Sequence, residues 1–120
     1  MATIEIKKKF EFSDEELSDL LVTAFEGGIN YWCGRVGFRK PGLFKGMLAS
    51  DALPKGAELV LYDAETPDKW ELTLEKFLSG LKRVIEEDDC GSVEDFMDNH
   101  DALTADRIIQ YALFNEQVFA

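Results

Sequence analysis

The stretch Val22–Cys33 constrains the fold more than any other part of the chain, because several demanding residues are adjacent there. A helical stripe of apolar residues leads into it, namely Leu17, Leu20, Leu21, Ala24 and Phe25. Gly27 or Gly28 can take the left-handed conformation that ends a helix. Tyr31 and Trp32 follow, and each ring has a polar tip that needs a partner when it is buried. We therefore expect a helix end joined to a sharply defined aromatic segment.

Two interpretations of this junction remain open. In the structural one, a helix cap is followed by aromatic residues of the core, which is the common fate of such side chains. In the functional one, the two glycines let a ligand approach the backbone, Glu26 and Asn30 hydrogen-bond it, and an aromatic ring stacks on it. If the segment is extended, Tyr31 and Trp32 point to opposite faces, so only one of them enters the core directly.

A second polar cluster lies near the other end of the chain and contains Asp101, Thr104, Asp106 and Gln110. Thr104 as a helix N-cap and Asp106 near the positive end of the helix dipole account for two of these residues structurally. Asp106 and Gln110 are four residues apart and share a helix face. If that face meets the Gly27-Gly28 junction, the two clusters together form a polar pocket.

These two regions carry a resemblance to a family of short proteins encoded by phages and prophages. The matching segments are Thr23-Ala24-Phe25-Glu26-Gly27-Gly28, Asn30-Tyr31-Trp32, Asp101-Ala102, Thr104-Ala105-Asp106, Gln110, Ala112-Leu113-Phe114 and Glu116. The chain departs from the family pattern at Asn115 and Ala120, where glycines are expected. The family has no established catalytic residues, so the resemblance assigns none. It implies a phage or prophage protein that works in the cytoplasm of a bacterial host cell.

Length and composition indicate one globular α+β domain over residues 1–120. Apolar residues make up 46% of the chain, which is typical of a folded domain. No apolar run is long enough to cross a membrane, and the segment Met1–Glu5 lacks a signal region, so a cytoplasmic location is expected. Cys33 and Cys90 are too few for a disulfide framework and fit a reducing compartment.

The charge distribution favours a basic partner. The formal net charge is −11, which disfavours direct binding to nucleic acid or to an anionic membrane. Residues 1–60 are nearly balanced, with 8 Lys and Arg against 9 Asp and Glu, whereas residues 61–120 have 5 against 15. Such asymmetry within a chain is a signal of interaction.

The acidic excess is concentrated between Glu86 and Asp106, where nine acidic residues occur without a lysine or arginine. The structural interpretation is a solvated surface. The functional one is a binding face that imitates nucleic-acid phosphates and has no compensating base. Its candidate residues are Glu86, Glu87, Asp88, Asp89, Glu94, Asp95 and Asp98.

The sequence predicts several strands. Ile4, Ile6, Phe10 and Phe12 alternate with polar residues and predict one half-buried strand, with Lys7-Lys8-Lys9 solvated or guarding its edge. Residues 29–38 are expected to be extended. Residues 58–63 and 69–72 predict a hairpin, and residues 117–119 a terminal strand. We expect one small antiparallel sheet of three to five strands.

The helix signals are stronger. Ser13 with Glu16 forms a capping-box pattern for a helix over about 14–26. Thr73 is the expected cap of an amphipathic helix in which Gly80 indicates a close neighbour. Ser92 can start a short helix, and Thr104 is expected to cap the last one. The helices starting near 14, 73 and 104 should pack on one face of the sheet.

No catalytic motif, nucleotide-binding loop or metal-ligand spacing is present, so we predict no enzyme activity, no cofactor and no metal. A site made only of carboxylates, such as Glu26 with Asp106, would leave no motif. His100 lies in a polar turn whose spacing matches no metal-binding loop. Arg35, Arg39, Lys40 and Lys45 form a basic loop that is either solvated or phosphate-binding.

The leading functional hypothesis is an acidic phage inhibitor. It would bind a host defence protein with a basic surface, for example a CRISPR nuclease, through protein–protein contact that imitates nucleic-acid charge. The alternative is a protein that sequesters a small nucleotide ligand, using the Gly27-Gly28 and Tyr31-Trp32 junction with the basic loop. A structural phage protein without an inhibitory role is a third interpretation.

Overall fold

A computed structural model describes residues 2–5, 9–40 and 42–120. These residues form five strands and five α-helices, so the predicted α+β class is confirmed. The strands are β1 Ala2–Glu5, β2 Lys9–Phe12, β3 Cys33–Phe38, β4 Leu59–Asp63 and β5 Lys69–Leu72. The helices are α1 Asp14–Thr23, α2 Ala49–Ala52, α3 Leu74–Asp88, α4 Val93–Asn99 and α5 Ala102–Phe114. The strands form two antiparallel sheets of two and three strands, where one sheet was expected.

The N-terminal segment is a hairpin, so the prediction of a single strand is wrong. β1 and β2 pair with each other, with Ala2 opposite Phe12 and Ile4 opposite Phe10. Residues directly opposite in a hairpin share a face, so the apolar alternation of one long strand also fits two paired strands. Ile4, Phe10 and Phe12 are buried. Lys9 is exposed, and residues 6–8, with the other two lysines of the run, lie outside the described part of the chain.

The larger sheet has the order β3-β4-β5, and the predicted hairpin of β4 and β5 is confirmed. β3 begins later than expected, because residues 29–32 form a turn in place of extended chain. The amides of Trp32 and Cys33 both donate to the carbonyl of Ile29, at 3.0 and 2.8 Å. This turn determines where the side chains of residues 31 and 32 point.

α1 starts with the predicted capping box, in which Ser13 Oγ accepts from the Glu16 amide and Glu16 Oε1 accepts from the Ser13 amide. After Thr23 the chain continues as one π-helical turn, Ala24–Gly28. Neither glycine has a positive φ, so the predicted left-handed cap is wrong. Gly28 instead permits close packing, since a Cβ there would lie 2.7 Å from the carbonyl oxygen of Ala102.

α3 and α5 pack closely against each other. Thr73 caps α3 as predicted, with its hydroxyl accepting from the Lys76 amide. A Cβ on Gly80 would lie 2.9 Å from the backbone nitrogen of Ala112, so the close neighbour expected there is α5. Phe77 and Leu81 of α3, with Ile108 of α5, are buried in the core. None of the helices in the described ranges is long and apolar enough to cross a membrane.

The two ends of α5 differ from the prediction. Asp101 caps the helix in place of Thr104, whose amide and hydroxyl both donate to Asp101 Oδ1, at 2.9 and 3.0 Å. At the other end Asn115 takes the left-handed conformation, with φ 60°, which a glycine would otherwise supply. Residues 117–119 are irregular, so the predicted terminal strand is wrong.

Candidate functional site

A buried carboxylate joins the two polar clusters. Asp106, on the second turn of α5, is only 4% exposed. Its Oδ2 accepts a hydrogen bond of 2.5 Å from the Tyr31 hydroxyl. Its Oδ1 accepts from Trp32 Nε1 at 2.8 Å and from Gln110 Nε2 at 2.9 Å. The structure therefore brings together Tyr31 and Trp32 with Asp106 and Gln110, which lie up to 79 residues away in sequence.

The turn at residues 29–32 makes this arrangement possible. In an extended strand two adjacent rings would point to opposite faces. Because the chain turns, the polar tips of Tyr31 and Trp32 both reach the same carboxylate. Trp32 is buried, whereas the Tyr31 ring is 51% exposed and forms the rim of the cluster. Partial burial, together with the hydrogen bond to Asp106, raises the pKa of the Tyr31 hydroxyl to about 12.

Gln110 links the same network to the C-terminal tail. Its Oε1 accepts from the amides of Val118 and Phe119, at 2.7 and 2.8 Å. Its Nε2 donates to the Phe119 carbonyl at 3.2 Å. The Phe119 ring then stacks on Trp32, with a centroid distance of 4.9 Å and an interplanar angle of 4°. The Gln110 side chain thus provides the hydrogen bonds that the predicted terminal strand, residues 117–119, would have received from a neighbouring strand.

The cluster is chemically satisfied. Both oxygens of Asp106 accept from side chains of the protein, and no buried side-chain nitrogen or oxygen in the described ranges lacks a partner. With its pKa near 12, the Tyr31 hydroxyl stays protonated at neutral pH. These contacts indicate a network that holds the turn, α5 and the tail together, and not a pocket that receives a ligand.

Glu26 and Asn30 lie apart from this network, and both are exposed. They line a groove of about 460 Å³ between the end of α1, β3 and the start of α2, which we call the α1–β3 groove. Gly28 is buried against α5, whereas a Cβ on Gly27 would meet nothing within 4 Å. The residues assigned to one pocket from the sequence are therefore divided between a buried network and a separate groove.

The acidic segment is partly neutralised by α5, so the expectation that it lacks a compensating base is wrong. Arg107 bonds Glu87 at 3.0 Å and Asp88 at 3.1 Å. Arg83 lies 3.4 Å from Glu87, and the Tyr111 hydroxyl donates to Glu87 at 2.7 Å. The hydrogen bond from Tyr111 and the charge of Arg107 lower the pKa of Glu87.

The remaining carboxylates of the candidate face are not paired with a cation. Glu86, Asp89, Glu94 and Asp98 are exposed and make no side-chain hydrogen bond or ion pair within residues 2–5, 9–40 and 42–120. Asp95 accepts only from the neutral amide of Asn99, at 3.1 Å. We call these five residues the unpaired acidic set.

A second groove was not predicted from the sequence. It has a volume of about 700 Å³ and is lined by Tyr31, Leu103, Val118 and Phe119 together with Arg107. We call it the tail groove. Leu103 is 74% exposed and Val118 is 53% exposed. Arg107 connects it to the acidic segment through its bonds to Glu87 and Asp88. Only the position of Leu103 outside the apolar stripe of α5 signals this groove in the sequence.

The basic loop is less available than its composition indicates. Arg39 pairs with Glu58 at 2.8 Å and lies 3.5 Å from Glu71. The Arg35 guanidinium lies over the Tyr62 ring, 3.9 Å from its centroid, and makes no ion pair with a described residue. Arg35 therefore keeps its hydrogen-bond donors free, and it lines the α1–β3 groove.

His100 has contacts that account for its position. Its Nδ1 lies 2.7 Å from the Met97 carbonyl and its Nε2 lies 3.3 Å from the Thr23 hydroxyl. The ring also stacks near Phe96, with centroids 6.5 Å apart. No group of His, Cys, Asp and Glu residues in the described part of the chain is arranged to hold a metal ion. Burial raises the pKa of the Cys33 and Cys90 thiols, so neither is an activated nucleophile.

These features define an α+β protein with a closed polar network, an acidic segment joined through Arg107 to an apolar groove, and a separate groove with polar and apolar lining. Comparisons of the chain with protein-family models, with curated proteins and with solved structures found no match.

Proposed function

We propose that this protein is a non-enzymatic inhibitor that binds a basic surface of a partner protein. The observation that carries the proposal is that Arg107 lines the tail groove and bonds Glu87 and Asp88, which joins an apolar groove to the acidic segment. The tail groove presents Tyr31, Leu103 and Val118, three large apolar side chains that are each more than half exposed. The unpaired acidic set lies on the neighbouring elements α3 and α4 and the turn between them. An apolar centre with a charged rim is the usual composition of a protein–protein interface.

The electrostatics favour a basic partner. The unpaired acidic set contributes five negative charges that no described cation neutralises. Four of these five carboxylates stand on α3 and α4, so their backbone positions are fixed before binding and only the side chains have to be ordered. A charged surface of this kind accelerates association with an oppositely charged surface and weakens as salt screens it.

An enzymatic role receives less support from the same contacts. Asp106, the buried carboxylate, accepts hydrogen bonds from three protein side chains through both of its oxygens. Glu26, its candidate partner in a carboxylate site, lines a different groove. General acid–base catalysis needs the two groups within hydrogen-bond reach of the same reacting atoms.

The resemblance of the Thr23–Gly28 and Thr104–Asp106 segments to phage proteins supports a particular class of partner. A phage protein that binds a basic surface in the host cytoplasm would act on a nucleic-acid-binding defence protein. A CRISPR nuclease is such a protein, because its guide and target strands lie in a positively charged channel. The acidic face would occupy that channel in competition with phosphates.

The experiment measures binding to purified CRISPR nucleases of the Cas9 type by biolayer interferometry, with DNA cleavage as a second readout. The test variant carries Glu86→Gln, Asp89→Asn, Glu94→Gln and Asp98→Asn. The matched control carries Glu15→Gln, Asp19→Asn, Glu65→Gln and Asp68→Asn, which removes four exposed charges elsewhere. We expect association of the test variant to slow by about tenfold with a shallower salt dependence, and the control to change much less.

A substitution in the tail groove tests the apolar part of the face. Leu103→Ala removes an exposed side chain and should leave the fold intact, while dissociation from the nuclease becomes at least about fivefold faster. Leu43→Ala, at a leucine that is 96% exposed and not part of this groove, is the control. Absence of binding to every nuclease tested, or equal kinetics in all variants, would overturn the proposal.

A further inference from the structure

The α1–β3 groove contains a hydroxyl group that makes no hydrogen bond to a described residue. Ser50, in the short helix α2, is 6% exposed and lines this groove. Its side chain makes no hydrogen bond to any described residue, yet its oxygen is not sealed from the groove. The Ser50 hydroxyl is therefore open to the groove and can both donate to and accept from a polar group that binds there.

The rest of the lining is divided by chemistry. Phe25, Val36 and Leu48 provide apolar surface. Glu26 and Asn30 provide an acceptor carboxylate and an amide that can both donate and accept. Neither Glu26 nor Asn30 makes a side-chain hydrogen bond within the described part of the chain, so both are free to bind a ligand.

The groove also lies in the basic part of an acidic protein. Residues 27–50 contain two arginines and two lysines but no aspartate or glutamate, although the whole chain has a net charge of −11. Arg35 is one of the residues that line the groove. Its stacking on Tyr62 holds the guanidinium plane while leaving the N–H donors unbonded. An unbonded guanidinium of this kind suits a phosphate or carboxylate, which it binds through two parallel hydrogen bonds.

We propose that the α1–β3 groove binds a nucleoside phosphate. The base lies against Phe25 and Leu48 and presents its N–H donors to Glu26 and Asn30. The phosphate binds Arg35, and the Ser50 hydroxyl bonds a polar group of the ribose or the base. This site is separate from the acidic face and the tail groove, so the inference does not rest on the proposed inhibitor function.

Three features together favour this ligand class. A volume of about 460 Å³ is within the range of small-molecule sites. A purely apolar ligand would bury Glu26, Asn30 and Ser50 without partners, which is unfavourable. Free phosphate would use Arg35 but would gain nothing from the apolar lining and would be repelled by the carboxylate of Glu26. A nucleoside phosphate offers N–H donors to Glu26 and Asn30 and an anionic group to Arg35.

The test is isothermal titration calorimetry with GMP, AMP, CMP and UMP, and with inorganic phosphate and ribose 5-phosphate as partial ligands. We expect saturable binding of at least one nucleotide, and binding of the partial ligands at least about tenfold weaker. Arg35→Gln should weaken nucleotide binding by at least about tenfold, because it removes a charged hydrogen-bond donor. Ser50→Val, which fills the groove and removes the hydroxyl, should weaken it similarly.

Lys82→Gln and Ser79→Val, at exposed positions of α3, remove one positive charge and one hydroxyl away from the groove and should bind as the unmodified protein does. Circular dichroism and thermal unfolding identify any variant that does not fold, and Arg35→Gln, at an exposed side chain, remains informative if Ser50→Val fails. No binding of any nucleotide at millimolar concentration overturns the inference. Equal affinity for inorganic phosphate, or equal affinity in the groove and control variants, overturns it as well.

Nuclease binding separates this inference from the proposed function. Arg35→Gln should leave nuclease binding unchanged, whereas the variant of the acidic face should leave nucleotide binding unchanged. Each proposal can therefore fail while the other holds.

Discussion

The indole nitrogen of Trp32 donates a hydrogen bond of 2.8 Å to Oδ1 of Asp106, and this bond joins the turn after α1 to the second turn of α5. Both residues are buried, so the bond is shielded from water and each group depends on the other. The contact turns two separate sequence clusters into one structural unit. The effects of substitutions at these positions follow from it.

The first prediction concerns Asp106. Asp106→Ala removes the acceptor of the buried Trp32 N–H and of the Tyr31 hydroxyl, so the free energy of unfolding should fall by about 3 kcal/mol. Urea denaturation measures the change. Asp98→Ala, at an exposed aspartate without a partner, should change stability by less than about 0.5 kcal/mol. Equal losses in both variants would show that the network does not stabilise the fold.

The second prediction compares the two adjacent glycines. Gly28→Ala places a Cβ 2.7 Å from the Ala102 carbonyl oxygen, so α5 must shift and the free energy of unfolding should fall by about 1–3 kcal/mol. Gly27→Ala meets nothing within 4 Å and should be neutral or slightly stabilising, because alanine favours helical backbone. Thermal and urea unfolding of the two variants test this difference. A reversed order of stability would contradict the close packing of the π-helical turn on α5.

The third prediction concerns the C-terminal tail. Gln110→Ala removes the acceptor of the Val118 and Phe119 amides, so hydrogen exchange at these two amides should quicken by at least about tenfold. Release of Phe119 from its stacking on Trp32 should also change the tryptophan fluorescence. In Gln117→Ala, where the exposed side chain bonds no described residue, both signals should remain unchanged. Unchanged hydrogen exchange at these amides in Gln110→Ala would show that Gln110 does not hold the C-terminal tail in place.

The fourth prediction separates paired from unpaired carboxylates at the end of α3. Glu87→Gln with Asp88→Asn breaks the ion pairs with Arg107 and should lower the free energy of unfolding by about 1 kcal/mol. Glu86→Gln with Asp89→Asn removes the same charge from unpaired side chains. It should be neutral or slightly stabilising, since negative charge is unfavourable at the C-terminal end of a helix. A double-mutant cycle with Arg107→Gln assigns the difference to the ion pairs. Equal effects of the two variants would exclude a net contribution from them.

The fifth prediction is a pH dependence on the alkaline side. The pKa of Tyr31 is about 12 in the folded protein against a usual value of 10.0, so the folded state holds this proton more tightly. The resulting stabilisation is complete below pH 10 and is lost as the pH rises through 12. Tyr31→Phe should therefore show a smaller loss of stability between pH 10 and 12 than the unmodified protein. Denaturation at fixed pH values measures the slopes, with Tyr62→Phe as the control. Identical slopes would contradict the Tyr31–Asp106 bond.

Much of the fold was predictable because it depends on neighbouring residues. The capping box at Ser13, the cap at Thr73 and the hairpin of β4 and β5 are local patterns, and all three are confirmed. Gly80 also indicated a close neighbour, because a glycine inside a helix lowers the stability of the helix and is expected there only where another element packs closely. α5 is that neighbour.

The errors arose where a local pattern fits two structures. Apolar alternation from Ile4 to Phe12 is the same in one strand as in two paired strands. Thr104 and Asp101 are both good N-cap residues, and the choice of Asp101 moved the start of α5 by three positions. Gly27-Gly28 predicted a left-handed cap, but the glycine was needed for the approach of α5, and a sequence does not reveal which constraint applies.

By itself the sequence determined the α+β class, most helix and strand positions, the acidic character and the residues of both polar clusters, since periodicity, capping and charge are properties of neighbours along the chain. Only the tertiary structure decided which of these residues meet. It placed Tyr31, Trp32, Asp106 and Gln110 in one closed network, paired Arg107 with Glu87 and Asp88, and left Ser50 unpartnered in a groove with Glu26, Asn30 and Arg35. The physical reason is that a hydrogen bond needs its donor and acceptor within about 3 Å of each other. The packing of α1, α3 and α5 determines which side chains come within that distance.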